Sequence, residues 1–143
     1  MTIDSGPFSV PAKLAPAHAR VQAYWEGLER GENAIPFWDD VNPSALGELA
    51  DSTVLLDVFD DPPRFRFGVV GKRIETYFGR AISGRFLDEL EHRPVFDRLD
   101  ALCRAAVERR SPAYASDAAG YTRLVLPLWG EGRVSMLLVV VTK

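Results

Sequence analysis

Two histidines and one cysteine are the side chains of this sequence best suited to ligation or nucleophilic chemistry, and their placement favours neither. His92 lies in the charged run Glu91-His92-Arg93-Pro94, where it reads as an exposed loop residue. His18 falls on the apolar stripe of a helix and reads as packed or interfacial. Cys103 takes an inward position on the most regular helix of the chain, where a thiol serves as a small hydrophobe. Asp88, Glu89 and Glu91 could suggest paired carboxylates, but no base, nucleophile or metal partner stands at a telling spacing, so they read as a solvated face. Gly71, Gly79 and Gly84 match neither a phosphate loop nor a dinucleotide fingerprint and read as turn residues. The expectation is a protein that is not an enzyme, with no catalytic residue and no metal ligand.

Composition narrows the class further. The chain has 143 residues, 47% hydrophobic and 26% charged, which favours one soluble domain with a real core. A net charge of -3 and the lack of a basic cluster argue against nucleic acid. The apolar run Met136 to Val141 is too short to cross a bilayer. The N-terminus lacks the basic and apolar regions of a signal peptide, and a single cysteine cannot form an internal disulfide. A cytoplasmic location is expected.

The elements that must position these residues follow from periodicity. Tyr121 to Thr142 reads as a hairpin about Gly130-Glu131-Gly132. Its second strand is apolar on both faces, so it belongs at the centre of a sheet covered on both sides. Thr53 to Phe59 and Arg64 to Val70 form a second hairpin around Asp60-Asp61-Pro62-Pro63. In its second strand Phe65, Phe67 and Val69 share one face. Met1 to Leu14 reads as a loose leader. Ala15 to Arg30 reads as a helix stopped by Gly31, with Leu14, His18, Val21, Trp25 and Leu28 on one stripe. Asn42 or Pro43 starts a short helix bearing Leu46 and Leu49. Ile74, Tyr77 and Phe78 lie on a short helix ended by Gly79, and Phe86, Leu87 and Leu90 on another short stretch. Pro94 to Arg110 reads as one long helix with Val95, Phe96, Leu99, Leu102, Cys103, Ala106 and Val107 along one face. Pro112 to Ala118 is a weak strand. The order is that of an α+β fold with an antiparallel sheet. The middle helices cover one sheet face, and the N-terminal helix or a second subunit covers the other.

Over Asp51 to Lys143 this pattern resembles a PAS domain: a hairpin, short helices, a long connecting helix and three closing strands. Tyr24-Trp25, LLDV at Leu55 to Val58, RFRFGVVG at Arg64 to Gly71, YFGR at Tyr77 to Arg80 and GRFLDEL at Gly84 to Leu90 resemble a family of small stand-alone bacterial PAS proteins of undefined function. The resemblance implies a PAS-like five-stranded antiparallel sheet with helices on one face and an N-terminal capping or dimerisation helix. It divides the chain into a leader and helical cap, residues 1–50, and a PAS-like domain, residues 51–143.

The resemblance also implies a sensor or interaction module that holds a small ligand, or nothing, between the sheet and the long helix. The ligand-binding candidates are Phe67, Tyr77, Phe78, Phe86, Phe96, Leu99, Cys103 and Leu126. The polar anchors available are Tyr77, Tyr114, Tyr121 and Arg123. Leu124, Leu126 and Leu128 share one strand face, and Arg123, Val125 and Trp129 the other. With the leucines toward the helices, Arg123 and Trp129 would lie under the N-terminal helix. Haem-binding PAS domains carry a histidine on or near the long helix, and one residue, His92, is weak support for that. GRFLDEL lacks the cysteine of light-sensing flavin PAS domains. The cofactor is left open. Two functions remain: a sensory module for a small apolar or aromatic ligand, signalling through a homodimer or a separate output protein, and a ligand-free interaction or dimerisation domain.

Overall fold

The computed structural model describes residues 8–29, 35–60 and 62–143. Five strands, β1 (Thr53–Phe59), β2 (Arg64–Val70), β3 (Ala113–Ser116), β4 (Thr122–Gly130) and β5 (Arg133–Thr142), form one antiparallel sheet in the order β2-β1-β5-β4-β3. β5 is central, as its two apolar faces require. Leu137, Val139 and Val141 point to one side, and Leu138 and Val140 to the other, all fully buried. The β4–β5 turn holds two residues, Glu131 and Gly132, both at positive φ (55° and 79°), the backbone that tight hairpins favour. Gly130 belongs to β4, where a side chain would run into the Trp38 indole.

The helices are α1 (Pro16–Glu26), α2 (Lys72–Phe78) and α3 (Leu99–Arg109), with 3-10 turns at Trp38–Asp40, Pro43–Ser52, Leu87–Glu89 and Pro94–Phe96. Among the described residues no helix is long and apolar enough to cross a membrane. α2, the Pro94–Phe96 turn and α3 cover the inner face of the sheet. α1 and the Pro43–Ser52 segment cover the outer face of β4 and β5. The chain thus supplies both covers, and α1 packs on its own sheet.

Four local expectations are corrected. First, the helix expected over Pro94 to Arg110 is broken: Asp97 is extended (ψ 128°) and Arg98 is left-handed (φ 61°) before α3 begins. The Pro94 carbonyl closes a 3-10 turn with Asp97 N–H at 3.2 Å, and both the Pro94 and Val95 carbonyls accept from the Arg123 guanidinium. Second, Val69 is 59% exposed while Phe65 and Phe67 are buried. Pairing runs from Leu56↔Phe67 to Val54↔Val70, so a bulge at Gly68 and Val69 reverses the alternation and turns Val70 inward. Third, α1 stops at Glu26 in tightened turns, Leu28 N–H to Trp25 O and Glu29 N–H to Glu26 O; the Gly31 stop lies outside the described residues. Fourth, the leader is docked from Phe8 onward. The Phe8 carbonyl accepts from Tyr114 N–H at 2.9 Å beside β3, and its ring joins the inner core. Residues 1–7 of that leader, and Asp61 of the first hairpin turn, also fall outside the described residues.

Trp25 locks α1 to the sheet. Its indole N–H donates to the Pro127 carbonyl at 2.8 Å, and the ring is 5% exposed among Leu124, Leu126, Leu128 and Leu138. Pro127 itself is tolerated because β3 pairs with β4 only over Thr122 to Val125. Beyond that, Trp129 N–H is taken by Pro36 O at 2.8 Å. Replacing Trp25 by Ala removes a buried anchor and should cost about 3–5 kcal/mol, read from the midpoint of urea denaturation.

Candidate functional site

The candidate site is the space between α3 and the inner sheet face. α3 sends Leu99, Leu102, Cys103 and Ala106 into it, each at most 1% exposed. Phe96 comes from the preceding 3-10 turn, Phe78 from α2 and Phe67 from β2. Phe96 is the hub, with its ring centroid 5.1 Å from Phe67 and 5.4 Å from Phe78, the latter stacked. Tyr77 packs at the margin of the same core, edge-on to Tyr121 at 5.4 Å. Six of the eight candidates, Phe67, Tyr77, Phe78, Phe96, Leu99 and Cys103, therefore meet on this face.

Phe86 and Leu126 lie elsewhere. Phe86 is half-buried beyond β2, where its backbone bridges Arg66 and its ring packs on Phe59 at 5.4 Å beneath the Arg64 guanidinium. Leu126 faces α1, on the opposite side of the sheet. The leucine stripe of β4 points outward to α1, so Arg123, Val125 and Trp129 turn inward toward the middle helices.

Arg123 is consequently the polar group of the site. It is 1% exposed. Its Nε donates to Val95 O at 2.8 Å, and one Nη donates to Pro94 O and to an Asp117 carboxylate oxygen, each at 2.6 Å. A buried guanidinium is tolerable only when so paired. The arrangement ties the turn carrying Phe96 to β4 and to the β3–β4 connection. Partial burial acts to raise the Asp117 pKa, but the hydrogen bond and charge of Arg123, with the N–H groups of Tyr121 and Ala119, hold it below the usual carboxylate value. Strand alternation paired Arg123 with Val125 from the outset; the signal left unread was Asp117, placed across the β3–β4 turn where it can meet a buried cation.

The other titratable groups singled out by the sequence are packed or locally paired. Burial pushes the Cys103 thiol well up, away from the thiolate that nucleophilic chemistry needs. Asp88 pairs with Arg64 at 2.7 Å, and that hydrogen bond lowers its pKa. Glu89 accepts from Phe86 N–H at 3.0 Å, and Glu91 pairs with Arg80 and Arg93. His92 is 77% exposed in its side chain and contacts Asp97 at 3.1 Å. Among the described residues no group of three or more His, Cys, Asp or Glu gathers as a metal site. A cleft of about 250 Å³ opens beside the core, floored by Leu87, Leu90 and Phe96 and rimmed by His92, Arg93 and Arg98. A second, of about 310 Å³, opens on the outer face between Trp38 and Phe59.

The family model for the PAS domain matches residues 14–128, and the chain belongs to that family. The match takes in α1 as well as the sheet and the middle helices. As a class, PAS domains are sensory and interaction modules. No curated protein and no solved structure matches the chain.

The Arg123–Asp117 pair makes the site acid-sensitive in a defined direction. The folded-state pKa of Asp117 lies below its unfolded value of 3.8, so the pair's stabilisation is full above that pH. It is lost as pH falls from there through the folded pKa. Asp117→Asn should lower the denaturation midpoint at pH 7, by leaving Arg123 with a weaker partner, and should flatten the acid limb of stability against pH below about 4.

Proposed function

We propose that this protein is a PAS-type regulatory module that acts through contacts with a second copy of itself or with a separate output protein, its inner core being packed rather than open. The observation that carries this reading is the Phe67–Phe96–Phe78 cluster beneath Leu99 and Cys103. These side chains meet one another at van der Waals and stacking distances in the space where a PAS ligand would sit. A cytoplasmic setting suits the reading.

A second reading is a sensor for a small apolar or aromatic ligand, and the cleft floored by Leu87, Leu90 and Phe96 favours it. Phe96 belongs both to that floor and to the core. A rotation of this one ring would join the two, with the turn that bears it held by Arg123. Ligand binding would then be a shift toward the opened state, driven by the ligand's preference for it.

One pair of variants separates the readings. In a packed core, Leu99→Trp and Cys103→Trp overfill the space and should each destabilise by about 1–3 kcal/mol or more, measured by urea denaturation. If either variant is as stable as the parent, the space is a cavity and the sensor reading takes precedence. Native mass spectrometry and an absorbance spectrum of the purified protein complete the test. Extra mass or a chromophore band supports the sensor, and a clean colourless dimer supports the interaction module.

A further inference from the structure

His18 lies in the first turn of α1 and faces the sheet at 1% exposure. Its Nε2 lies 3.3 Å from the Thr122 carbonyl and 3.3 Å from the Thr142 hydroxyl. Its Nδ1 has no hydrogen-bond partner. The Tyr114 ring closes the third side, edge-on at 6.3 Å. Among the described residues no carboxylate acts on the imidazole, whose pKa is set by burial and the Thr122 carbonyl. β3 contributes Tyr114, β4 contributes Thr122 and β5 contributes Thr142. The charged neighbours in sequence point away: Arg123 enters the inner core, and the Lys143 ammonium lies over Tyr121. Glu48 and Asp51 of the Pro43–Ser52 segment and Lys13, Arg20 and Glu26 on or beside α1 are exposed.

This pocket accepts a neutral imidazole and rejects an imidazolium. With Nε2–H donating to Thr122 O, the neutral ring leaves only an acceptor lone pair unused at Nδ1. Protonation would add an N–H at Nδ1 with no acceptor and a full charge with no counter-ion, both out of water. We propose that α1 is an acid-released cap, which leaves the outer sheet face when His18 takes up a proton and so uncovers the leucine stripe of β4. The device is local because the rest of the fold does not share the group: α3 and the inner core lie across the sheet from His18.

The direction is set by linkage. Burial lowers the pKa of the docked ring below 6.5, outweighing the Thr122 carbonyl, which favours the cation. In the released state the ring is solvated and titrates near that ordinary value. Docking is therefore strongest above about pH 6.5 and weakens below it, by up to tenfold in its equilibrium constant per pH unit, until the docked ring itself protonates.

The test is hydrogen–deuterium exchange of the full chain between pH 7.5 and 5.0, corrected for intrinsic exchange chemistry. This range lies above the titration of Asp117. The expected result is that protection over 16–26 falls up to tenfold per pH unit below 6.5 while protection of α3 holds. His18→Gln, which keeps a donor for Thr122 O but cannot titrate in this range, should abolish that dependence, and His92→Gln should leave it unchanged. The proposal is overturned if α1 protection does not vary with pH, if His18→Gln follows the parent, or if α1 and α3 lose protection together. Should His18→Gln fail to fold, an NMR titration of the parent decides: a His18 ring pKa below 6.5 supports the proposal and one at or above it overturns it.

Discussion

β5 has no face that water can occupy. Leu137, Val139 and Val141 on one side and Leu138 and Val140 on the other each bury a full side chain. Apolar surface removed from water is the largest favourable term available to a domain of this size. A strand so constructed forces a three-layer arrangement. Strands must flank it, because a central position also satisfies its backbone, and an apolar cover must lie over each side. The inner cover is assembled from α2, α3 and the Phe96 turn. The outer cover is α1 with the Pro43–Ser52 segment, carried by Trp25, Val21 and Leu46.

The two covers differ in kind. The inner one is held by polar pins as well as by packing. Arg123 reaches from the inner face of β4 to grip the Pro94 and Val95 carbonyls, just ahead of the break that precedes α3. The outer one includes a short helix, α1, whose polar tethers to the sheet among the described residues are the Trp25 indole and the His18 ring. A helix of 11 residues has little stability of its own in water. It stays helical because its stripe is buried, so whatever weakens docking also weakens the helix. A regulatory module can use such an element as its moving part, since the low-stability end of a structure is where switching occurs.

Most of this architecture was legible from residue order, because it is written in apolar periodicity. β1 and β2 fall where alternation places them, α2 ends at Gly79 as expected, and the double-sided β5 identifies the sheet centre. The PAS resemblance rests on the same hydrophobic order. What periodicity could not carry were features that depend on one side chain meeting distant backbone. The break at Asp97 and Arg98 falls where Arg123, well removed in sequence, binds two carbonyls. Val69 is exposed because a bulge inserts one residue into β2, and alternation has no term for that. Helix faces were enough to put Phe78, Leu99 and Cys103 together on the inner side of the sheet. Leu126 falls on the outer side instead, because alternation says which residues share a face but not which layer that face meets.

The central claim is that this chain covers both faces of its own sheet, with α1 docked in cis. The direct measurement is an isotope-filtered NOE experiment on a sample mixed from labelled and unlabelled chains. It would be observed at the Trp25 indole N–H, which sits on Pro127 O between Leu126 and Leu128. The account predicts NOEs from that proton to the methyl groups of those leucines within a single chain, and none between chains, whether or not the protein dimerises. Cross-peaks between labelled and unlabelled chains at this site would contradict it, since α1 would then be the cover of a neighbour's sheet.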